Sequence, residues 1–129
     1  GRITAIDLKT GKHLWLAPLG RGPKDNPALV DLNLPDLGWP VRAFVATTPD
    51  LLLVAYQLPK QGRRHEPDRV KSVICAYDLG DGTKLGKVGL SDEVNGNMMS
   101  YLLDGRQYLV LPVNGGRQSP ELIALSISR

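Results

Sequence analysis

The sequence repeats itself. "ITAIDLKTGKHLWLAPL", Ile3 to Leu19, aligns without gaps on "ICAYDLGDGTKLGKVGL", Ile74 to Leu90, at an offset of 71 positions. In this register Ala5 matches Ala76, Asp7 matches Asp78, Leu8 matches Leu79 and Gly11 matches Gly82. Leu14 and Leu19 match Leu85 and Leu90. A shortened third copy, "LIALSI" at Leu122 to Ile127, sets Ala124 on the Ala5 register but lacks the aspartate and the turn glycine. Such self-similarity restricts a chain to arrays of similar units, because one small unit cannot bury its apolar surface alone.

Each full copy reads as strand, tight turn, return strand. Ile3 and Ala5 alternate with Thr4 and Ile6, which suits a strand packed on both faces. Asp7 and Asp78 are placed to accept backbone N–H groups of the following turn. Gly11 and Gly82 supply the positive φ that reverses the chain. Between the copies, "VRAFVAT" and "LLLVAYQL" flank the turn Thr48-Pro49-Asp50. After the second copy, "NMMSYLLD" and "RQYLVLPV" meet at Asp104-Gly105, a strong hairpin signal. The strands therefore group as two, then four, then three, and no segment shows a sustained helical period with caps. On one strand, Met98 is expected to face a core and Met99 the opposite side, or the reverse.

Two stretches are irregular. Ala17 to Pro40 is punctuated by glycine and proline and reads as a long excursion. "PKQGRRHEPDRVK", Pro59 to Lys71, is polar and basic and reads as a mobile surface loop with solvated charge.

Composition removes several function classes. The net charge of +3 is mild, and seven aromatics do not interleave with a basic stripe, so nucleic-acid binding is not expected. The single cysteine, Cys75, cannot close an internal disulfide, and "VICAYDL" reads as a strand with a buried thiol. No apolar run approaches the length of a membrane span. His13 and His65 lack zinc-ligand spacing, and no serine sits in a G-x-S-x-G setting. Gly80, Gly82 and Gly86 fall within a hairpin with no helix after them, so they are not a phosphate loop.

Four-strand units with a repeated hairpin signature are the blades of a β-propeller, each needing roughly 40–50 residues. The expected fold is all-β: a partial propeller of about two four-stranded antiparallel blades, within 129 residues. Residues 1–19 would form the outer hairpin of one blade, 41–90 a full blade and 97–127 most of a final one. A ring typically has four to eight blades. An open stack exposes strand edges and apolar faces. Missing blades, or self-association through the open edges, are therefore expected to complete it, with the inner half of the first blade preceding Gly1.

"AIDLKTGKHLW" resembles the repeat of quinoprotein dehydrogenases, which bind pyrroloquinoline quinone (PQQ) on the axis of an eight-bladed propeller. "LPDLGWPV", "AYDLGDGTKL", "NGNMMSYLLDGRQYLVLPVNGG" and "ELIALSIS" follow in the order of the C-terminal blades of the glucose-dehydrogenase-like branch. The resemblance covers nearly the whole chain and is most specific from "DGRQY" to "NGG". It implies a parent that oxidises an alcohol or sugar using PQQ and calcium, in the periplasm. It places the catalytic aspartate and most calcium ligands outside this stretch, so no catalytic or metal residue is carried onto it.

The resemblance does map Asn114, Gly115, Gly116 and Arg117 near the axis as one edge of the quinone pocket. Glycines admit backbone N–H groups close to an anion, Asn114 can hydrogen-bond a carboxylate or carbonyl, and a guanidinium suits carboxylates. The competing reading of "NGG" is an ordinary turn ending a strand. Gly86 stands where the second copy would carry the tryptophan of Trp15, Trp39 stands where the family has glycine, and "GNMMSY" lacks the family's proline. These departures support an alternative, a non-catalytic propeller scaffold for protein interactions. A third reading is a free-standing chain that oligomerises through its open blades. In every case the chain alone is expected to show no turnover and no tight PQQ binding.

Overall fold

The computed structural model describes residues 1–114 and 119–126. Strands β1 (Arg2–Ile6) and β2 (His13–Pro18) form a two-stranded antiparallel sheet. The Asp7 carboxylate accepts the N–H groups of Lys9 and Thr10 at 2.8 and 2.9 Å, and Gly11 turns the chain with φ of 70°. The second sheet runs in the order β3 (Ala43–Thr47), β4 (Leu51–Gln57), β5 (Ser72–Asp78), β6 (Lys84–Leu90), all antiparallel. Its β5–β6 turn reuses the first turn's chemistry: Asp78 accepts from Gly80 and Asp81, and Gly82 has φ of 77°.

The third sheet pairs β9 (Arg106–Asn114) with β10 (Pro120–Ser126) on one side. On its other side lie two pieces, β7 (Glu93–Val94) and β8 (Met99–Leu103). Val94 faces Val113 and Met99 faces Val110, so four residues on one strand span two on the other and the edge bulges outward. The third sheet thus corresponds to the first three positions of the second one.

Alternation along β4 and β5 makes the second sheet the middle layer. Leu52, Val54, Tyr56, Val73, Cys75 and Tyr77 face the first sheet, where Ala17, Leu19 and Trp39 complete a core. Ala55 and Ile74, with Phe44, face the third sheet and pack on Leu90, Val94, Met98 and Leu111. Met98 is in that core while Met99 is 57% exposed on the opposite face. Both open ends of the stack stay apolar. Ile6, Leu14 and Leu16 are exposed on one, and Met99, Tyr101 and Leu122 on the other.

Tight turns close one end of the stack, and long connections gather at the other. Trp39 organises the first of these, with its N–H donating to the Leu19 carbonyl at 2.8 Å and its ring against Gly62. Gly62 belongs to a single helical turn, α1 (Lys60–Arg63), inside the segment read from sequence as a solvated loop. That segment is tied down at several points. Arg63 donates to the Leu58 carbonyl at 3.0 Å and to Glu93 at 2.8 Å, His65 pairs with Asp25, and Lys87 binds Glu66. Long basic side chains do this because their stems reach across the surface to carboxylates on other elements.

Candidate functional site

The loop end where the second and third sheets meet is built from few residues. Glu93 and Val94 are held there by three side chains of the second sheet and its β4–β5 connection. The buried Ser72 hydroxyl accepts the Val94 N–H at 3.0 Å, Gln57 donates its amide to the Val94 carbonyl at 2.9 Å, and Arg63 binds Glu93. With its dipeptide gripped in this way, the chain delivers Asn95 to the junction. The Asn95 N–H donates to the Pro112 carbonyl at 3.0 Å, and its side-chain amide donates to the Asn114 side-chain oxygen at 3.3 Å.

Asn114, one of the residues singled out in the sequence, therefore ends β9 at this junction, opposite Glu93 on β7 and Pro120 on β10. Gly115, Gly116 and Arg117 lie outside the described residues. A cleft of about 300 Å³ opens beside the junction, lined by Val41, Arg42, Phe44, Gln57, Leu58, Pro59 and Asn95. The Arg42 guanidinium sits 5.1 Å from the centre of the Phe44 ring, a cation–π contact with a largely buried aromatic. Among the described residues Arg42 forms no ion pair. The cleft thus offers an exposed cation and two carboxamides.

Two other concavities differ in character. A polar cleft of about 310 Å³ lies under the excursion, bordered by Asp36, Trp39, Tyr56, His65, Glu66 and Lys87. Asp25, which pairs with Arg21 and His65 of this lining, is held below the usual carboxylate range by its hydrogen bond from Arg21, with His65 adding to the effect. Burial, followed by the neighbouring Cys75, pushes the phenols of Tyr56 and Tyr77 well above the ordinary tyrosine range, so neither serves as an acid or base near neutrality. The third concavity is apolar, about 450 Å³, and lies between the second and third sheets at the tight-turn end. Gly86 borders it, and a Cβ placed there would meet nothing within 4 Å.

Antiparallel sheets stacked face to face, the middle one four-stranded, with tight turns at one end, are the packing expected of propeller blades. The family comparison decides the matter: residues 1–109 match the glucose/ethanol/alcohol dehydrogenase β-propeller domain, designated PQQ. The chain belongs to this quinoprotein propeller family. Its sheets are blades, and its fold is a partial propeller. It is similar to the quinate/shikimate dehydrogenase (quinone) of Acinetobacter baylyi, with 29% identity over 94% of this chain and 14% of that protein. A probable quinate dehydrogenase (quinone) of Xanthomonas campestris pv. juglandis shows 29% identity over 94% of this chain and 14% of its own length. The quinoprotein glucose dehydrogenase of Escherichia coli shows 27% identity over 89% and 13% respectively. The chain therefore spans about one seventh of the length of these quinoproteins.

Sequence reasoning named Asn114 as a candidate and did not name Arg42, Gln57 or Asn95, which lie beside it. Each is an isolated polar residue at a strand end, and no spacing links positions so far apart in the chain. Only the pairing of β7 with β9, and the packing of β4 beside β7, bring them together. Trp39, singled out as a departure from the family's glycine, buries its side chain in the core between the first two blades.

Proposed function

We propose that this chain is the C-terminal blade region of a quinoprotein dehydrogenase whose full length oxidises an alcohol or a polyhydroxylated ring. In this reading residues 1–19 are the outer hairpin of one blade, 41–90 a complete blade and 97–127 most of the next. The remaining blades of the parent cover the two apolar ends of the stack, and the parent works in the periplasm.

The observation that carries the reading is the blade junction itself, where Arg42, Asn95, Gln57 and Asn114 converge beside a cleft of about 300 Å³. A guanidinium without an acidic partner among the described residues, with several carboxamides, fits a quinone that bears carboxylates and carbonyls. When bound, PQQ supplies the two-electron acceptor for alcohol oxidation. The residues of this chain contribute orientation and charge at one wall, with Asn114, Gly115, Gly116 and Arg117 along that edge. Calcium fits this stretch less well, since among the described residues no three His, Cys, Asp or Glu side chains gather. The calcium ligands belong, on this reading, to other blades of the parent.

Dye-linked oxidation by the full-length parent, reconstituted with PQQ and calcium, tests the reading against quinate, shikimate and aldoses. Turnover with any of them is the expected result. A reconstituted parent that neither oxidises these substrates nor binds PQQ would reverse it in favour of a protein-binding scaffold. The open apolar cleft at Gly86 is the feature of the structure that favours this second reading.

A further inference from the structure

We infer that the apolar cleft beside Gly86, between the second and third blades, binds a small, neutral, planar aromatic molecule of the indole class. The inference is independent of the quinone reading, since this cleft lies at the tight-turn end and the Asn114 junction at the other.

The first observation is structural equivalence. Ala5 pairs with Trp15, and Ala76 pairs with Gly86. In each hairpin the register shifts directly after that pair, between Ala5 and Ile6 in one and between Ala76 and Tyr77 in the other. Gly86 therefore holds the place of Trp15 in the folded blade as well as in the repeat. On the first blade the Trp15 indole crosses to the second, donating to the Leu79 carbonyl at 3.0 Å and packing on Gly82. On the second blade the matching space is open among the described residues. A Cβ on Gly86 would meet nothing within 4 Å, and Val88, on the same face of its strand, is 52% exposed.

The second observation is the chemistry of the walls. Ile74 and Ala76 of the second blade face Leu109 and Leu125 of the third across about 450 Å³, a volume in the range of small-molecule sites. The charged side chain in the lining, Lys87, has its ammonium on Glu66 at 2.7 Å. An ion entering the cleft would lose water without a free countercharge, whereas a neutral ring gains by leaving water. Two blade faces approaching each other form a slot, which suits a flat molecule. At its edge Gln107 gives an amide hydrogen to the Ser100 hydroxyl at 2.8 Å. Its carboxamide oxygen remains as an acceptor for a ring N–H, the part that the Leu79 carbonyl plays for Trp15.

The test titrates the full 129-residue chain, with labelled methyl groups and amides, and follows it by NMR. Indole, 1-methylindole and benzoate are the probes, and the Gly86 N–H and the methyl groups of Leu109 and Leu125 are the reporters. Indole should shift all three reporters saturably. 1-Methylindole, which lacks the N–H, should bind about fivefold more weakly. Benzoate, of similar size but charged, should give no saturable shift. Gly86→Trp supplies the ring from the chain itself, so it should abolish the indole response and raise the thermal midpoint. If that variant does not fold, Gly86→Val replaces it and should weaken indole binding about tenfold by crowding the slot. Absence of a saturable indole shift at these reporters, or unchanged indole binding in whichever Gly86 variant folds, overturns the inference. Benzoate binding as tightly as indole overturns the assignment to a neutral ring, and equal binding of 1-methylindole overturns the role given to Gln107.

Discussion

Trp15 of the first blade donates its indole N–H to the backbone carbonyl of Leu79 in the second, at 3.0 Å across 64 residues of sequence. Its ring lies flat against Gly82, where a Cβ would come within 2.5 Å of the ring. The tryptophan of one repeat thus caps the glycine turn of the next, and the two repeat signatures explain each other. Trp15→Phe keeps most of the packing and loses the hydrogen bond, so about 1 kcal/mol of stability should disappear in denaturant unfolding. Gly82→Ala should cost more, about 2 kcal/mol, because it adds the clash to a φ of 77°.

Gly86 occupies the corresponding position in the second repeat and contributes no cap. Its strand faces the 450 Å³ cleft instead. Gly86→Val should raise the thermal midpoint by a few degrees, reflecting about 1 kcal/mol from strand propensity and added apolar contact. An unchanged or lowered midpoint would show that the backbone there needs glycine for a reason other than space.

Ser72 is completely buried and accepts the Val94 N–H. Ser72→Ala leaves that donor without its partner and should cost about 1–3 kcal/mol. The same change should loosen β7, so hydrogen exchange at Val94 and Asn95 should accelerate more than exchange in β4 or β5.

Tyr77 presents the opposite case. Its hydroxyl is buried with no hydrogen-bond partner among the described residues. Removing an unsatisfied polar atom relieves a desolvation cost, so Tyr77→Phe should be neutral or stabilising by about 1 kcal/mol in equilibrium unfolding.

The turn aspartates predict an acid limb. Asp7 is held below its ordinary pKa of 3.8 by the N–H groups of Thr10 and then Lys9, and Asp81 by that of Thr83. A carboxyl with a depressed folded pKa binds protons more readily in the unfolded chain. Its contribution is therefore complete above the unfolded value, near pH 4, and is lost as pH falls through the folded value. Thermal midpoints measured between neutral and acid pH should fall on this limb. The fall should be shallower in the Asp7→Asn, Asp81→Asn double variant, which retains the acceptors but not the titration.

Much of this architecture is legible in local sequence. The 71-residue echo, the aspartate and glycine of each turn, and Asp104-Gly105 each act over a few residues, so the turns they specify could be placed without a fold. The unbroken apolar runs of β4 and β5 are those of strands covered on both sides, because successive side chains point to opposite faces. β7 was not legible, being two residues whose pairing depends on a bulge and on three side chains from another blade. Nor was the anchoring of the 59–71 segment, since "RRHEPDR" has the composition of a solvated loop wherever it lies.

The opening repeat by itself determined the kind of object this chain is: hairpins of fixed design, stacked as blades. Local turn chemistry and strand periodicity suffice for that, because they are properties of neighbouring residues. Only the tertiary structure decided that Trp15 reads the turn of the following repeat, that Gly86 leaves a cleft, and that Arg42, Gln57, Asn95 and Asn114 share one junction. Those facts depend on which sheets face each other and in what register, and packing between distant segments leaves no periodic trace in the sequence of either one.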